Sequence, residues 1–101
     1  MSAAQQVRRR ARAYWLNRPG TEAQLVFDSG VWHFRSDGHA HWMEASGEAT
    51  LFARVRAFCL DRRRRELRLR FDDGSELIAR KTWLGSRLRA TERGGPGSWP
   101  A

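Results

Sequence analysis

The stretch LFARVRAFCLDRRRRELRLRFDDGSELIARK, residues 51–81, decides how this chain folds. In it Leu67, Leu69 and Phe71 alternate with Arg68 and Arg70, the period of two expected of a strand with one dry and one wet face. Asp72, Asp73 and Gly74 interrupt the pattern as a three-residue hairpin loop. Such a loop pairs Leu69 with Leu77 and Leu67 with Ala79 on one face. On the other it sets Arg70 opposite Glu76 and Glu66 opposite Arg80, opposite charges of the kind that steady a sheet. Upstream, Ala53, Val55, Ala57 and Cys59 alternate with Arg54, Arg56, Phe58 and Leu60. Laying the apolar rows together lays the arginine rows together, so the segment reads as a β-ribbon with one apolar and one basic face.

The same period extends outward in both directions. Strands are expected at 22–28, 31–36, 39–45, 49–60, 65–71 and 76–83, separated by DSG, SDG, SGE, DRRRR and DDG, with a weaker one at 86–91. Short strands with Asp-Gly and Ser-Gly turns predict an antiparallel meander of about six strands, mainly β, forming a small or partly open barrel. A Ser29-Gly30 loop would pair Phe27 with Trp32 and Leu25 with Phe34. A three-residue loop at Asp37 would pair Trp32 with Trp42, placing both tryptophans and Glu44 on the core face. WxFxxDG, residues 32–38, resembles the strand-and-turn pattern of lipocalin-like barrels. Those barrels have eight strands, more than this length comfortably holds, and no ligand is carried over from the resemblance.

Before the strands, residues 3–17 place Val7, Ala11, Tyr14 and Trp15 at helical spacing, with Gln6, Arg9, Arg10 and Arg12 opposite and NRPG as a stop. A short basic amphipathic helix is expected there. The organisation that follows is a basic N-terminal helix or arm at 1–21, an antiparallel β domain at 22–91 and a flexible Gly- and Pro-rich tail at 92–101.

The chain of 101 residues is one domain's worth, and 41% hydrophobic content with five tryptophans is too apolar for disorder. No apolar run approaches the roughly 20 residues of a membrane span, so no membrane partner is expected. A single cysteine, Cys59, excludes an internal disulfide, fits a reducing compartment and points to a cytoplasmic protein. In the expected register it belongs to the buried apolar row.

Three histidines, His33, His39 and His41, fall within nine residues. The expected register brings His33 and His41 together across a hairpin, with His39 beside them, and three imidazoles would suit zinc. Arg35 lies among them, however, and a fourth ligand is lacking. A solvated hairpin face accounts for the same residues, and no metal site is assigned. The serines lie in turns or termini, no GxSxG elbow occurs, and Asp72-Asp73 is explained as a turn. No enzyme and no cofactor are expected.

Charge is the strongest functional signal. Nineteen basic residues against eleven acidic ones give +8, and all but Lys81 of the nineteen are arginine. Arginine grips phosphate with two prongs, which favours nucleic acid or another polyanion as partner. The expected contact residues are Arg54, Arg56 and Arg68 on the ribbon and Arg62, Arg63, Arg64 and Arg65 in its loop. Phe58 lies on the same face, available to stack on a base. The chain therefore reads as a small non-catalytic nucleic-acid-binding protein. The alternative is a protein-interaction or assembly module, a homo-oligomer or a subunit of a larger complex, that uses its aromatic-rich sheet.

Overall fold

The computed structural model describes residues 1–92. Helix α1, Ala3–Arg10, is followed by β1 (Ala11–Leu16), β2 (Glu22–Phe27), β3 (Gly30–Ser36) and β4 (His41–Ala45). A single helical turn, α2 (Ala49–Phe52), leads to β5 (Val55–Asp61), β6 (Glu66–Phe71), β7 (Glu76–Thr82) and β8 (Gly85–Thr91). The strands form two four-stranded antiparallel meanders, β1-β2-β3-β4 and β5-β6-β7-β8, hereafter sheets 1 and 2.

The sheets share one core. Sheet 1 contributes Tyr14, Leu16, Leu25, Phe27, Trp32 and Phe34, and sheet 2 contributes Val55, Phe58, Leu67, Leu69, Phe71 and Leu77. Rings of Phe34 and Phe58, 5.3 Å apart, join the two layers. The residues of α1 in this core, Ala3, Ala4 and Val7, are small, which lets the helix lie close against β6, β7 and β8. Among the described residues no ladder closes the sheets into the expected barrel. Between β4 and β5 the chain turns through α2 instead of a hairpin, and β1 meets β8 through a side chain, Ser86 Oγ donating to the Tyr14 carbonyl. Eight strands nevertheless fit into this length, because each has only five to seven residues.

An eight-residue helix is marginal on its own. Its first-turn backbone donors, which have no partner within the helix, are answered by side chains. Asp73 Oδ2 accepts from the Ala3 amide at 2.8 Å, Ser75 Oγ from Ala4 at 3.1 Å and Ser2 Oγ from Gln5 at 3.2 Å. Two of the three caps thus come from the β6–β7 turn, some seventy residues along the chain.

The β6–β7 hairpin has the expected register throughout: Leu69 with Leu77, Leu67 with Ala79, Arg70 with Glu76 and Glu66 with Arg80. Gly74 supplies the left-handed turn at φ +83°. Elsewhere four expectations give way. The helix stops at Arg10 rather than Asn17, and Tyr14 and Leu16 turn inward while Trp15 turns outward, the alternation of a strand. The first hairpin pairs Leu25 with Trp32 and Phe27 with Gly30, two residues from the expected register. An even shift keeps both faces as expected.

The hairpin at Asp37 shifts by an odd number, and β4 is inverted. His33 pairs with Glu44, Phe34 with Met43 and Arg35 with Trp42. Asp37 fixes this longer turn: its Oδ1 accepts from the amides of His39 and Ala40, both at 2.7 Å. Trp42 and Glu44 therefore stand outside with His33, and Trp42 does not meet Trp32. Trp32 is instead buried against Phe27 and Phe52, its indole donating to the Gly47 carbonyl at 2.9 Å.

Finally, residues 49–60 are not one strand. After α2 the pairing jumps from Val55–Phe71 to Ala57–Arg70, a bulge at Arg56 that exchanges the faces. Phe58 and Leu60 turn inward, while Ala57 and Cys59 join the arginine face. The expected tail, 92–101, lies outside the described residues save for Glu92.

Candidate nucleic-acid interface

The face of sheet 2 turned away from the core is a grid of three cross-strand rows. Asp61, Glu66, Arg80 and Arg87 form one; Cys59, Arg68, Ile78 and Arg89 the next; Ala57, Arg70, Glu76 and Thr91 the third. The two ends of this sheet differ in how its cations are answered. At the β6–β7 turn, Arg54, an expected contact residue, donates from Nε to Asp72 at 2.9 Å and lies 3.4 Å from Asp73, so its charge is answered within the fold. Arg70 donates from Nε and Nη2 to the buried Glu76 carboxylate at 3.1 and 3.0 Å. The opposite end carries the β5–β6 and β7–β8 turns, and there Arg62, Arg63 and Arg64 are exposed. Arg64 Nε lies 3.9 Å from Asp61, and no ion pair forms at Arg62, Arg63, Arg80, Lys81 or Arg87 among the described residues.

A cleft of about 490 Å³ opens at that end. Arg63, Arg64 and Arg65 line it from one turn, and Arg80, Lys81, Trp83, Leu84 and Arg87 from the β7–β8 hairpin. Arg80 and Arg87 are directly paired across the strands, two like charges face to face. Such a pair is destabilising unless an anion lies between or above it. A second hollow, of about 220 Å³, adjoins it and adds Glu66, Ile78 and Arg89.

The expected contact residues are thus divided. Arg63 and Arg64 line the cleft, Arg62 precedes them in the same turn and lies against Gly20, and Arg68 is in the middle of the grid. Arg56, at the bulge, is exposed and donates to the Ala53 carbonyl at 3.2 Å. Arg65 braces the fold. Its guanidinium donates to the carbonyls of Arg18 at 2.9 Å and Asn17 at 3.3 Å, tying the β1–β2 turn to the β5–β6 turn. Phe58 is removed from the arginine face altogether. It is buried between Phe34 and the parallel ring of His41, 4.1 Å away.

Arg80, Lys81, Arg87, Arg89 and Trp83 were not legible as parts of the site. Their signal lay in the alternation of Arg87 and Arg89 in the last strand, which acquires meaning only once β8 is paired with β7.

The histidines do not gather. His33 lies 3.4 Å from Glu22 and 3.8 Å from Glu44, edge-on to Trp42, whereas His41 stacks inward on Phe58 and His39 sits at the turn. Among the described residues no group of three or more His, Cys, Asp or Glu is placed to hold a metal ion. Cys59 faces outward beside Arg68 rather than into the core, and partial burial raises its thiol pKa. Burial likewise raises the Tyr14 phenol, whose hydroxyl is enclosed without a hydrogen-bond partner. No helix among the described residues is long and apolar enough to cross a membrane.

Comparison with family models, with curated proteins and with solved structures found no match to this chain.

Proposed function

We propose that this is a small basic protein that binds nucleic acid, without catalysis, through the cationic face and end cleft of sheet 2. The observation that carries the reading is the Arg80–Arg87 pair, opposed across β7 and β8 within a cleft that also takes Arg63, Arg64 and Lys81. Glu66 stands opposite Arg80 on β6, but among the described residues Arg87 has no carboxylate opposite it, and with Arg63, Arg64 and Lys81 the cations around the cleft outnumber the acids, which favours an anion there. Arg62, Arg68, Arg89 and Arg56 extend the surface, giving a phosphate backbone more than one point of attachment. The contact is electrostatic and reads no base sequence by itself. The single thiol, Cys59, fits a reducing compartment, and a cytoplasmic location belongs to the proposal.

Replacing Arg80 and Arg87 together by glutamine tests it. Binding to a generic oligonucleotide should weaken, and the slope of log affinity against log salt should shrink by about one for each phosphate no longer neutralised. Folding stability should hold or rise slightly, since a repulsive pair is removed. An unchanged slope and affinity would remove the cleft from the interface.

A second reading rests on the other sheet. On the outer face of sheet 1, Trp15 is 46% exposed and shares the surface with Val26, Val31 and Trp42, apolar side chains set around Gln24, His33 and Glu44, a mixed face of the kind that assembly surfaces use. Association through it would respond little to salt and would appear as a concentration-dependent mass, the opposite signature from phosphate binding.

A further inference from the structure

The tip of the β7–β8 hairpin carries Trp83 and Leu84, 92% and 69% exposed, on a two-residue turn closed by the Thr82–Gly85 pair. Turns of this kind normally carry small or polar residues, and two large apolar side chains in water contribute nothing to the core. Gly85, at φ +128°, takes the strain of the turn, so the backbone does not require Trp83. Trp83 lines the same cleft as Arg80, Arg87 and Arg63. A flat ring and phosphate-binding forks therefore border one hollow.

Resting on the nucleic-acid reading above, we infer that this cleft takes single-stranded rather than duplex nucleic acid, with a base stacked on the Trp83 indole and the adjoining phosphate held by Arg80 and Arg87. Shape decides between the two strandedness classes. Duplex is read by a ridge, a helix or ribbon that enters a groove about 12 Å wide. Here the arginines border a hollow between two turns, which suits a strand laid into it. In a duplex, moreover, the base faces are already stacked on one another, and reaching one costs unstacking. An unpaired base offers its face freely, and aromatic platforms beside a basic groove are how single strands are held.

The test is Trp83→Ala, with Trp83→Phe as the conservative partner, measured by fluorescence anisotropy against a labelled mixed-sequence strand of about 12 nucleotides and the same sequence as duplex. Both variants should fold as the parent does, checked by thermal midpoint, because the side chain is exposed. Single-strand affinity should fall roughly 5- to 150-fold in Trp83→Ala, the range expected for removing one base–aromatic stack, with the salt slope unchanged. Trp83→Phe should recover most of it, and duplex affinity should move less than about twofold. Equal losses on both substrates, or no loss on either, would overturn single-strand selection and leave nucleic-acid binding standing. Binding of the parent protein to neither substrate, or only to vesicles of anionic lipid, would overturn both.

Discussion

Replacing Asp73 by alanine removes the acceptor that holds the start of α1, and its cost can be worked from the contacts. The Ala3 amide, within a fully buried residue, donates to Asp73 Oδ2 at 2.8 Å. Asp73 Oδ1 accepts from the Ser75 amide at 2.9 Å and hydroxyl at 2.5 Å, and so orients the oxygen that caps Ala4. A buried donor left without a partner costs about 1–3 kcal/mol, and removal of a helix cap about 0.5–2 kcal/mol. The Arg54 contact, partly exposed, adds little. These overlap, so Asp73→Ala is expected to lower the unfolding free energy by about 2–3 kcal/mol. With a urea slope of about 1–3 kcal/mol per molar, the midpoint falls by about 0.7–3 M. Asp73→Asn removes the charge at the helix start and turns one of the two accepting oxygens into a donor, facing either the Ala3 amide or the Ser75 donors, for about 1–3 kcal/mol.

The pH dependence of the same residue gives a second readout. Burial pushes the Asp73 carboxyl up, but the Ala3 amide, the hydroxyl and amide of Ser75 and the charge of Arg54 outweigh it and hold the group at about 2. The folded value lies below the unfolded one of about 3.9, so the stabilisation is complete above about pH 5 and fades as pH falls through about 4 towards 2. The stability gap between the parent and Asp73→Asn should close over that window. A gap below about 0.5 kcal/mol at neutral pH, or one that does not change with acid, would refute the capping argument.

Gly47→Ala should destabilise by about 1–3 kcal/mol in a denaturant titration, because its new methyl would press into the Ser29 carbonyl, backbone with little room to move. Trp32→Ala should cost about 3–5 kcal/mol as a fully buried ring. Trp42→Ala, on the outer face beside His33, should cost about 1 kcal/mol by the same measurement, and the reverse ranking would contradict the inverted register of β4.

The strand period and its faces could be read wherever a turn's own chemistry fixed the count. In the β6–β7 hairpin, Gly74 permits one loop length, and every pair from Glu66–Arg80 to Arg70–Glu76 falls as expected. The Asp37 turn resisted because a carboxylate capping two amides stabilises a longer loop, and one odd step sends Trp42 outside. The bulge at Arg56 is invisible in an alternating string, since Arg-Ala-Phe continues the pattern on either face. Helix and strand were confused at 11–16 because Tyr14 and Trp15 satisfy a helical stripe when read without β2 beside them. The site suffered from the same limit. Clustered arginines were evident, but which of them meet carboxylates depends on pairings over long sequence distances, as with Arg54 and Asp72.

Among the described residues β1, β4, β5 and β8 are the border strands of the two sheets, with no further strand laddered to their outer side, and such borders invite copies of a chain to join edge to edge into fibrils. The two irregularities in pairing both fall on these outer strands: at Arg12 in β1 and at Arg56 in β5. Each twists the border away from the straight geometry that a second copy would need; Arg56 also adds an exposed cation, whereas Arg12 is answered by Asp28 at 2.8 and 3.1 Å. The strand β4 has only five residues, and β8 carries Arg87 and Arg89. Thinning out the arginines of β5 and β8 to improve crystallisation or expression is therefore expected to make edge-to-edge association easier, seen as a rise in light scattering with concentration.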